Sequence, residues 1–297
     1  MKRISKSGFA AFLFAVCLLS GAAGAEETPM ETDVPIALTS PSAILCEVST
    51  GRVIFEKNAD EHRPVASVNK VMTILLTLEA IDEGRVSAED KVTISPRAAS
   101  MGGSQAFLDA GESYKLGELL KTVIVASAND SAVAIAEYLS GAEESFVRLM
   151  NARAEELGLE NTHYVNCTGL PAQGHYTTAR DVAKLSAQLD LHPLYYRYST
   201  IWMDEIKHHG GRVTSLTNTN RLIRFYPDCD GYKTGSTNEA RYCVSATAKR
   251  DGMRLIAVVL GTPAGQTRFD EARAMLEYGF ANVQLVTPIA QGQALDM

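Results

Sequence analysis

Residues 242–261 read YCVSATAKRDGMRLIAVVLG. Tyr242–Lys249 and Arg254–Gly261 are strand-length runs rich in apolar and β-branched residues. Asp251-Gly252 stands between them, a dipeptide suited to a two-residue hairpin turn. The stretch therefore predicts an antiparallel ribbon, and Thr267–Phe280 predicts a helix after it. A matching signal lies near the other end of the chain. Ala43–Val48 and Arg52–Glu56 read as short strands, with Ser49-Thr50-Gly51 as their turn.

Between the two ribbons the pattern is helical. From Ser67 to Glu83, the residues Val71, Ile74, Leu75, Leu78 and Ile81 fall at spacings of three and four, and Gly84 provides a stop. Leu116–Ser127, Ser131–Leu139 and Ser145–Leu157 repeat the pattern, broken by Gly141 and Gly158. Thr177 or Thr178 caps a further helix reaching about Leu191, just before His192-Pro193. Strands, helix, helical segment, strands and helix together predict an α/β chain of the α+β kind. One antiparallel sheet is built from both chain ends and flanked by helices, with an α-helical insert. The expected sheet part is 41–88 and 225–281, and the insert is 89–224.

The first 25 residues predict a signal peptide. Lys2, Arg3 and Lys6 precede an apolar run from Gly8 to Ser20, and Ala23-Gly24-Ala25 offers a cleavage site. Residues 26–40 are acidic and rich in proline and threonine, and read as a linker. The whole chain has 297 residues, 28 basic and 35 acidic. Residues 1–25 carry three basic and no acidic side chains, so cleavage leaves 25 against 35, a net charge of −10. That balance disfavours nucleic acid as a partner. Cys46, Cys167, Cys229 and Cys243 remain after cleavage. Export permits disulfides, and a core of this size also accommodates buried thiols, so both readings stay open.

Residues 64–73, PVASVNKVMT, place Ser67 and Lys70 three apart at the start of a helical pattern. That spacing puts both side chains on one face. A serine hydroxyl needs a base within hydrogen-bond reach to act as a nucleophile, and lysine serves as that base only when neutral. Burial, or a second cation nearby, lowers its pKa. Ser127-Ala128-Asn129 falls at the break between two predicted helices, and Lys233-Thr234-Gly235 just before the C-terminal ribbon. Ser-x-Asn also occurs at 67–69 and 236–238, so the middle motif is not specific by itself. The order of the three and their settings carry the signal.

With these motifs the chain resembles the serine-type D-Ala-D-Ala carboxypeptidases, the low-molecular-mass penicillin-binding proteins. KNADEHRPVASVNKVMT, GGSQAFLDAGE, IVASANDSAVAIAEYLSG, NCTGLP and DGYKTGSTNEARYCVSATAKRDGMRLIAVVLG all look like family stretches in family order. The resemblance implies a β-lactamase/transpeptidase-like fold and an extracytoplasmic enzyme of a bacterium, in the cell wall or on the outer face of its cytoplasmic membrane. Its substrate would be the D-Ala-D-Ala end of a peptidoglycan stem peptide. Ser67 would be the nucleophile, Lys70 its base, and Ser127 a proton relay to the departing D-alanine. Asn129 would bind the substrate backbone, and Lys233 and Thr234 its terminal carboxylate. The backbone N–H groups of Ser67 and Ser236 would form the oxyanion hole, with Gly235 allowing close approach of the substrate. β-Lactams would be covalent inhibitors, and no metal or other cofactor is implied. Alanine at 128 in place of aspartate points away from the class A β-lactamases. A β-lactamase, a D,D-endopeptidase and a catalytically idle wall-binding protein are the competing readings.

Family members often carry a second, β-rich domain and then a membrane anchor. Residues 282–297 are expected to be the start of such a domain, truncated or absent, which leaves membrane attachment open. Glu156 and Glu160 are candidate deacylating carboxylates, with helix surface as the plainer reading. His208-His209, followed by Gly210-Gly211, read as an exposed hairpin tip. His62, His163, His175 and His192 read as surface or loop residues. Tyr195, Tyr196 and Tyr198, near Trp202, read as packing residues.

Overall fold

The computed structural model describes residues 36–286. The expected signal peptide, most of the linker and most of the segment after 281 lie outside these residues.

The chain opens with β1 (Ser42–Glu47) and β2 (Val53–Lys57), paired antiparallel across the Ser49–Gly51 turn. Glu47 fixes that turn by accepting the backbone N–H groups of Ser49 and Thr50 at 2.9 and 2.8 Å. A 3₁₀ turn over Ala66–Asn69 leads into α1 (Lys70–Asp82). Next come β3 (Lys91–Thr93), α2 (Pro96–Ala99) and β4 (Ser113–Lys115), then α3 (Leu116–Val125), α4 (Asn129–Ser140) and α5 (Glu143–Glu156). After a loop follow α6 (Ala179–Gln188), α7 (Pro193–Ser199), the hairpin of β5 (Met203–Lys207) and β6 (Val213–Thr217), and α8 (Leu222–Phe225). The chain re-enters the sheet with β7 (Cys229–Thr237), β8 (Arg241–Arg250) and β9 (Met253–Thr262), and α9 (Thr267–Asn282) follows.

The main sheet has the order β2-β1-β9-β8-β7, antiparallel throughout. It is thus assembled from both chain ends, with helices on both faces. The expected Asp251-Gly252 turn is present, both residues at positive φ (49° and 84°), as a tight hairpin turn requires. Alternation along β9 explains why its sequence is a continuous apolar run. Leu255, Ala257 and Val259 pack with Phe269, Met275 and Leu276 of α9. Ile256, Val258 and Leu260 join the larger core with α1, α3 and α4. A strand buried on both faces has no polar side to display.

α1 sits inside that larger core, with ten of its thirteen residues buried. Its two threonines satisfy their hydroxyls locally. Thr73 donates to Cys167 O at 2.8 Å and Thr77 to Thr73 O at 2.7 Å. Thr178 is the cap of α6, accepting the Asp181 N–H at 3.1 Å. Among the described residues, no helix is long and apolar enough to cross a membrane.

Four expectations need correction. Ser67 lies in the 3₁₀ turn before α1, and not in the α-helix itself. Lys233-Thr234-Gly235 lies within an edge strand, and not before a strand pair. Its residues, CDGYKTGST, lack the alternation and apolar content by which strands are read. The segment between α1 and β7 also contains two small ribbons, β3-β4 and β5-β6, beside its helices. His208 does sit at a hairpin end but is only 5% exposed, because Tyr114 and Thr214 pack around it. Its Nδ1 lies 2.7 Å from the Tyr114 hydroxyl and its Nε2 2.8 Å from Thr214 Oγ1. Cys46, Cys167, Cys229 and Cys243 are free thiols, the last three buried.

Candidate active site

The 3₁₀ turn brings Ser67 and Lys70 together. Lys70 Nζ lies 2.8 Å from Ser67 Oγ. Lys70 is fully buried, and its second contact is a hydrogen bond donated to Thr168 O at 2.7 Å. Burial pushes its pKa down to about 7, against a smaller upward pull from Cys167 and Asp130. A neutral amine has one lone pair and two N–H groups. With one N–H committed to the Thr168 carbonyl, the lone pair is free to take the Ser67 proton.

Gly235 crosses directly over this turn. A Cβ there would lie 2.4 Å from Val65 O, 2.8 Å from Ser67 N and 2.9 Å from Val68 N. The edge strand β7 therefore touches the backbone of the Ser67 turn, and only glycine permits that approach. Lys233 and Thr234, just before it, are both buried, while Ser236 is exposed. Lys233 Nζ donates to Thr234 O at 3.1 Å. Its pKa is held well below the ordinary lysine range by burial first, then by the charges of Lys70 and Arg268. The charge of Lys70 thus adds to the lowering of Lys233, whereas burial is what lowers Lys70.

Ser127 sits between α3 and α4 at φ 63°, a strained backbone position for a serine. Its Oγ is buried and makes no hydrogen bond, to Ser67 or Lys70 or any other described residue. Asn129 opens α4 and donates its Nδ2 to Gly102 O at 2.7 Å. That bond fixes the amide, leaving Oδ1 buried and without a partner. Unpaired buried polar atoms are uncommon in folded proteins, and two of them lie on residues singled out from sequence. Both suit a ligand that brings its own donors and acceptors.

With this geometry in view, a family model described as D-alanyl-D-alanine carboxypeptidase, peptidase S11, matches residues 27–264. The chain belongs to that family. Among its relatives, it is 44% identical over 249 residues to the D-alanyl-D-alanine carboxypeptidase DacF of Bacillus subtilis, covering 84% of this chain and 64% of the relative. It is 36% identical over 286 residues to DacC of Escherichia coli, covering 94% and 69%. The chain therefore spans about two thirds of the length of these relatives. Among solved structures, the carboxypeptidase DacD from Francisella tularensis superposes with a TM-score of 0.82 at 29% identity, covering 93% of this chain and 79% of that one. The Streptomyces K15 DD-transpeptidase superposes with a TM-score of 0.77 at 28% identity, covering 82% and 98%.

Several residues around the S11 site escaped the sequence reading. Asn166 Oδ1 accepts from Thr168 N, Thr168 Oγ1 and Gly169 N at 3.1, 3.0 and 2.7 Å. This asparagine folds the loop that aims the Thr168 carbonyl at Lys70. Gly169, at φ 80°, lets the loop press on the Ser67 turn, since a Cβ there would lie 2.0 Å from Ala66 O. Asp130, fully buried, accepts backbone N–H groups from Ala106, Leu108 and Ser131, pinning the 101–108 loop that Asn129 also touches. Arg268 of α9 donates to Gly235 O at 2.9 Å and to Cys243 O at 3.2 Å, bracing β7 from behind. The short polar pattern Asn-x-Thr-Gly at 166–169 was the one local signal for the first of these. The others depend on contacts distant in sequence.

The remaining candidates stand apart. Glu156 pairs with Arg153 at 2.9 Å with its side chain 63% exposed, and Glu160 is exposed. His208, Glu112 and Asp109 gather donor atoms within 4.8 Å of one another. Both His208 nitrogens are already hydrogen-bonded, Tyr114 donates to Glu112, and Arg212 pairs with Asp109. Tyr195 is buried and donates to Tyr232 O at 3.1 Å, a packing role as expected.

Proposed function

We propose that this protein is a serine D,D-carboxypeptidase whose catalytic domain is residues 41–281. It removes the terminal D-alanine from peptidoglycan stem peptides. The observation that carries this reading is the 2.8 Å contact between Ser67 Oγ and a fully buried Lys70 whose pKa is near 7.

The substrate's terminal carboxylate meets Lys233 and the Thr234 hydroxyl. A carboxylate there favours a proton on Lys233, and that charge in turn disfavours a proton on Lys70. Ser67 then gives its proton to the Lys70 amine as Oγ attacks the carbonyl between the two D-alanines. The developing oxyanion is held by the backbone N–H groups of Ser67 and Ser236. Asn129 holds the substrate amide. As the C–N bond breaks, Ser127 relays the proton to the leaving D-alanine amine. Water hydrolyses the acyl-enzyme and frees Ser67. A β-lactam enters as a mimic of D-Ala-D-Ala and leaves a long-lived ester on Ser67.

With residues 1–25 acting as a signal peptide, the enzyme works outside the cytoplasm on the wall. Glu156 is engaged by Arg153, which weighs against the rapid deacylation a β-lactamase needs. Wild type is expected to release D-alanine from a pentapeptide stem and to carry a stable fluorescent-penicillin label. Ser67→Ala is expected to lower release by at least about 10³-fold and to abolish the label. Equal release by the mutant would sink the reading, and fast penicillin turnover without a label would replace it with a β-lactamase.

A further inference from the structure

Asn69 stands between Ser67 and Lys70 in the sequence and is only 2% exposed. Both ends of its amide are engaged. Nδ2 donates to Asn166 O at 3.1 Å, and Oδ1 lies 2.8 Å from His175 Nε2. The first bond assigns the amide, so Oδ1 is the acceptor and the His175 proton sits on Nε2. Turning the amide over would set its oxygen against the Asn166 carbonyl, and the His175 N–H opposes that rotation. His175 Nδ1 has no partner among the described residues, so the bond to Asn69 is the one this ring makes there. Tyr164 meets the ring edge to face, with centroids 6.0 Å apart. Burial, and after it the charge of His163, holds the pKa of His175 down to about 4, so the ring is neutral at working pH.

The asparagine that receives this amide also folds the loop beside Lys70. Asn166 Oδ1 gathers Thr168 N, Thr168 Oγ1 and Gly169 N, and its Nδ2 donates to Leu170 O at 2.9 Å. The loop and the Ser67 turn come from distant parts of the chain. Lys70 Nζ keeps its 2.7 Å contact with Thr168 O only while the two stay in place against each other. The bare Gly169 backbone sets how closely they approach. Besides Lys70 itself, Asn69 and Thr73 tie them together among the described residues, Thr73 through its bond to Cys167 O. We propose that Asn69 and His175 are positioning residues for the Ser67–Lys70 pair. His175 orients the Asn69 amide, and that amide ties the loop to the Ser67 turn so that the Thr168 carbonyl stays on Lys70. Neither side chain takes part in bond making or breaking.

These roles rest on the carboxypeptidase reading and deepen it. If the loop slips, Lys70 loses part of its enclosure, and its pKa rises toward the ordinary lysine value. The titratable groups facing Lys70 are Cys167 of the loop, Asp130 of α4 and Lys233 of β7. None of their side chains is hydrogen-bonded to Asn69 or His175, so substitution at 175 leaves them in place. His175→Phe keeps a ring against Tyr164 and removes the donor, whereas His175→Gln keeps an N–H at the place of Nε2. Acylation by excess chromogenic penicillin is followed against pH, a rate that belongs to the folded molecules whatever their fraction. In His175→Phe the inflection is expected to move up from about 7 to about 8 or above, lowering the rate at pH 7 about fivefold. In His175→Gln the inflection is expected to stay in place, with a rate within about threefold of wild type. An unmoved inflection in His175→Phe overturns the proposal and leaves the carboxypeptidase reading intact. An equal shift in both variants overturns it as well, because the effect would then follow the ring and not the donor. Should His175→Phe not fold, Asn69→Leu removes the amide itself and is expected to give the same upward shift, an unmoved inflection again being the contrary result. Wild type that penicillin does not acylate overturns the enzymatic reading and the positioning roles together.

Discussion

Lys70→Met is expected to lower the rate of Ser67 acylation by about 10³-fold, the usual scale for loss of a positioned general base. The same substitution is expected to leave the protein at least as stable as wild type near pH 7. The two effects diverge because the lysine is held in a site that suits chemistry and not folding. Its folded pKa is about 7, below the value of about 10.4 in an unfolded chain. Between those values the unfolded state binds more protons, so stability rises with pH across that window. Below about pH 7 the penalty is fully present, on the order of 5 kcal/mol before the two hydrogen bonds of the amine are set against it. Methionine fills nearly the same volume without a charge to bury. Stopped-flow acylation by a chromogenic penicillin and thermal melting of the same sample read the two effects. Acylation within tenfold of wild type would remove Lys70 from the role of base.

Gly235→Ala carries the next largest effect. The new Cβ would meet three backbone atoms of the nucleophile turn, each at 2.9 Å or less. Backbone cannot yield as a flexible side-chain end would, so β7 must move away from Ser67. Displacing Ser236 relative to Ser67 separates the two backbone N–H groups proposed to face the oxyanion. A misplacement of about 1 Å in such a site costs roughly 10²-fold in rate. Both D-alanine release and penicillin acylation are expected to fall by that amount, because both pass through the same oxyanion. Unchanged kcat/KM for either would show that β7 does not form that wall of the site.

The sheet was readable where side chains carried the information. Leu255–Leu260 is buried on both faces and therefore apolar throughout, and Asp251-Gly252 states its own turn. β7 was unreadable for the opposite reason. Its Gly235 makes a close backbone contact with the Ser67 turn, and its lysine and hydroxyl side chains are the ones proposed to bind substrate, so they replace the apolar pattern of a strand. The pairing of Ser67 with Lys70 was legible from spacing alone, although the turn is 3₁₀ at the serine. What keeps Lys70 neutral was only partly legible. Burial and a second cation were both open as causes, and enclosure by α1 and the Thr168 loop is the one that lowers it. That loop reaches Lys70 from 98 positions away. His208 shows the same limit, for Gly210-Gly211 signalled a tip and nothing nearby signalled Tyr114.

If Lys70 is the base that activates Ser67, its ionisation governs the second-order rate constant for acylation of wild-type enzyme by a penicillin, measured from pH 5 to 9. The rate is predicted to be level above about pH 7 and to fall about tenfold per pH unit below it, as Lys70 takes up a proton. A rate constant flat through this range, with no ionisation near neutrality, would contradict the account and leave Lys70 as a fixed charge beside the nucleophile.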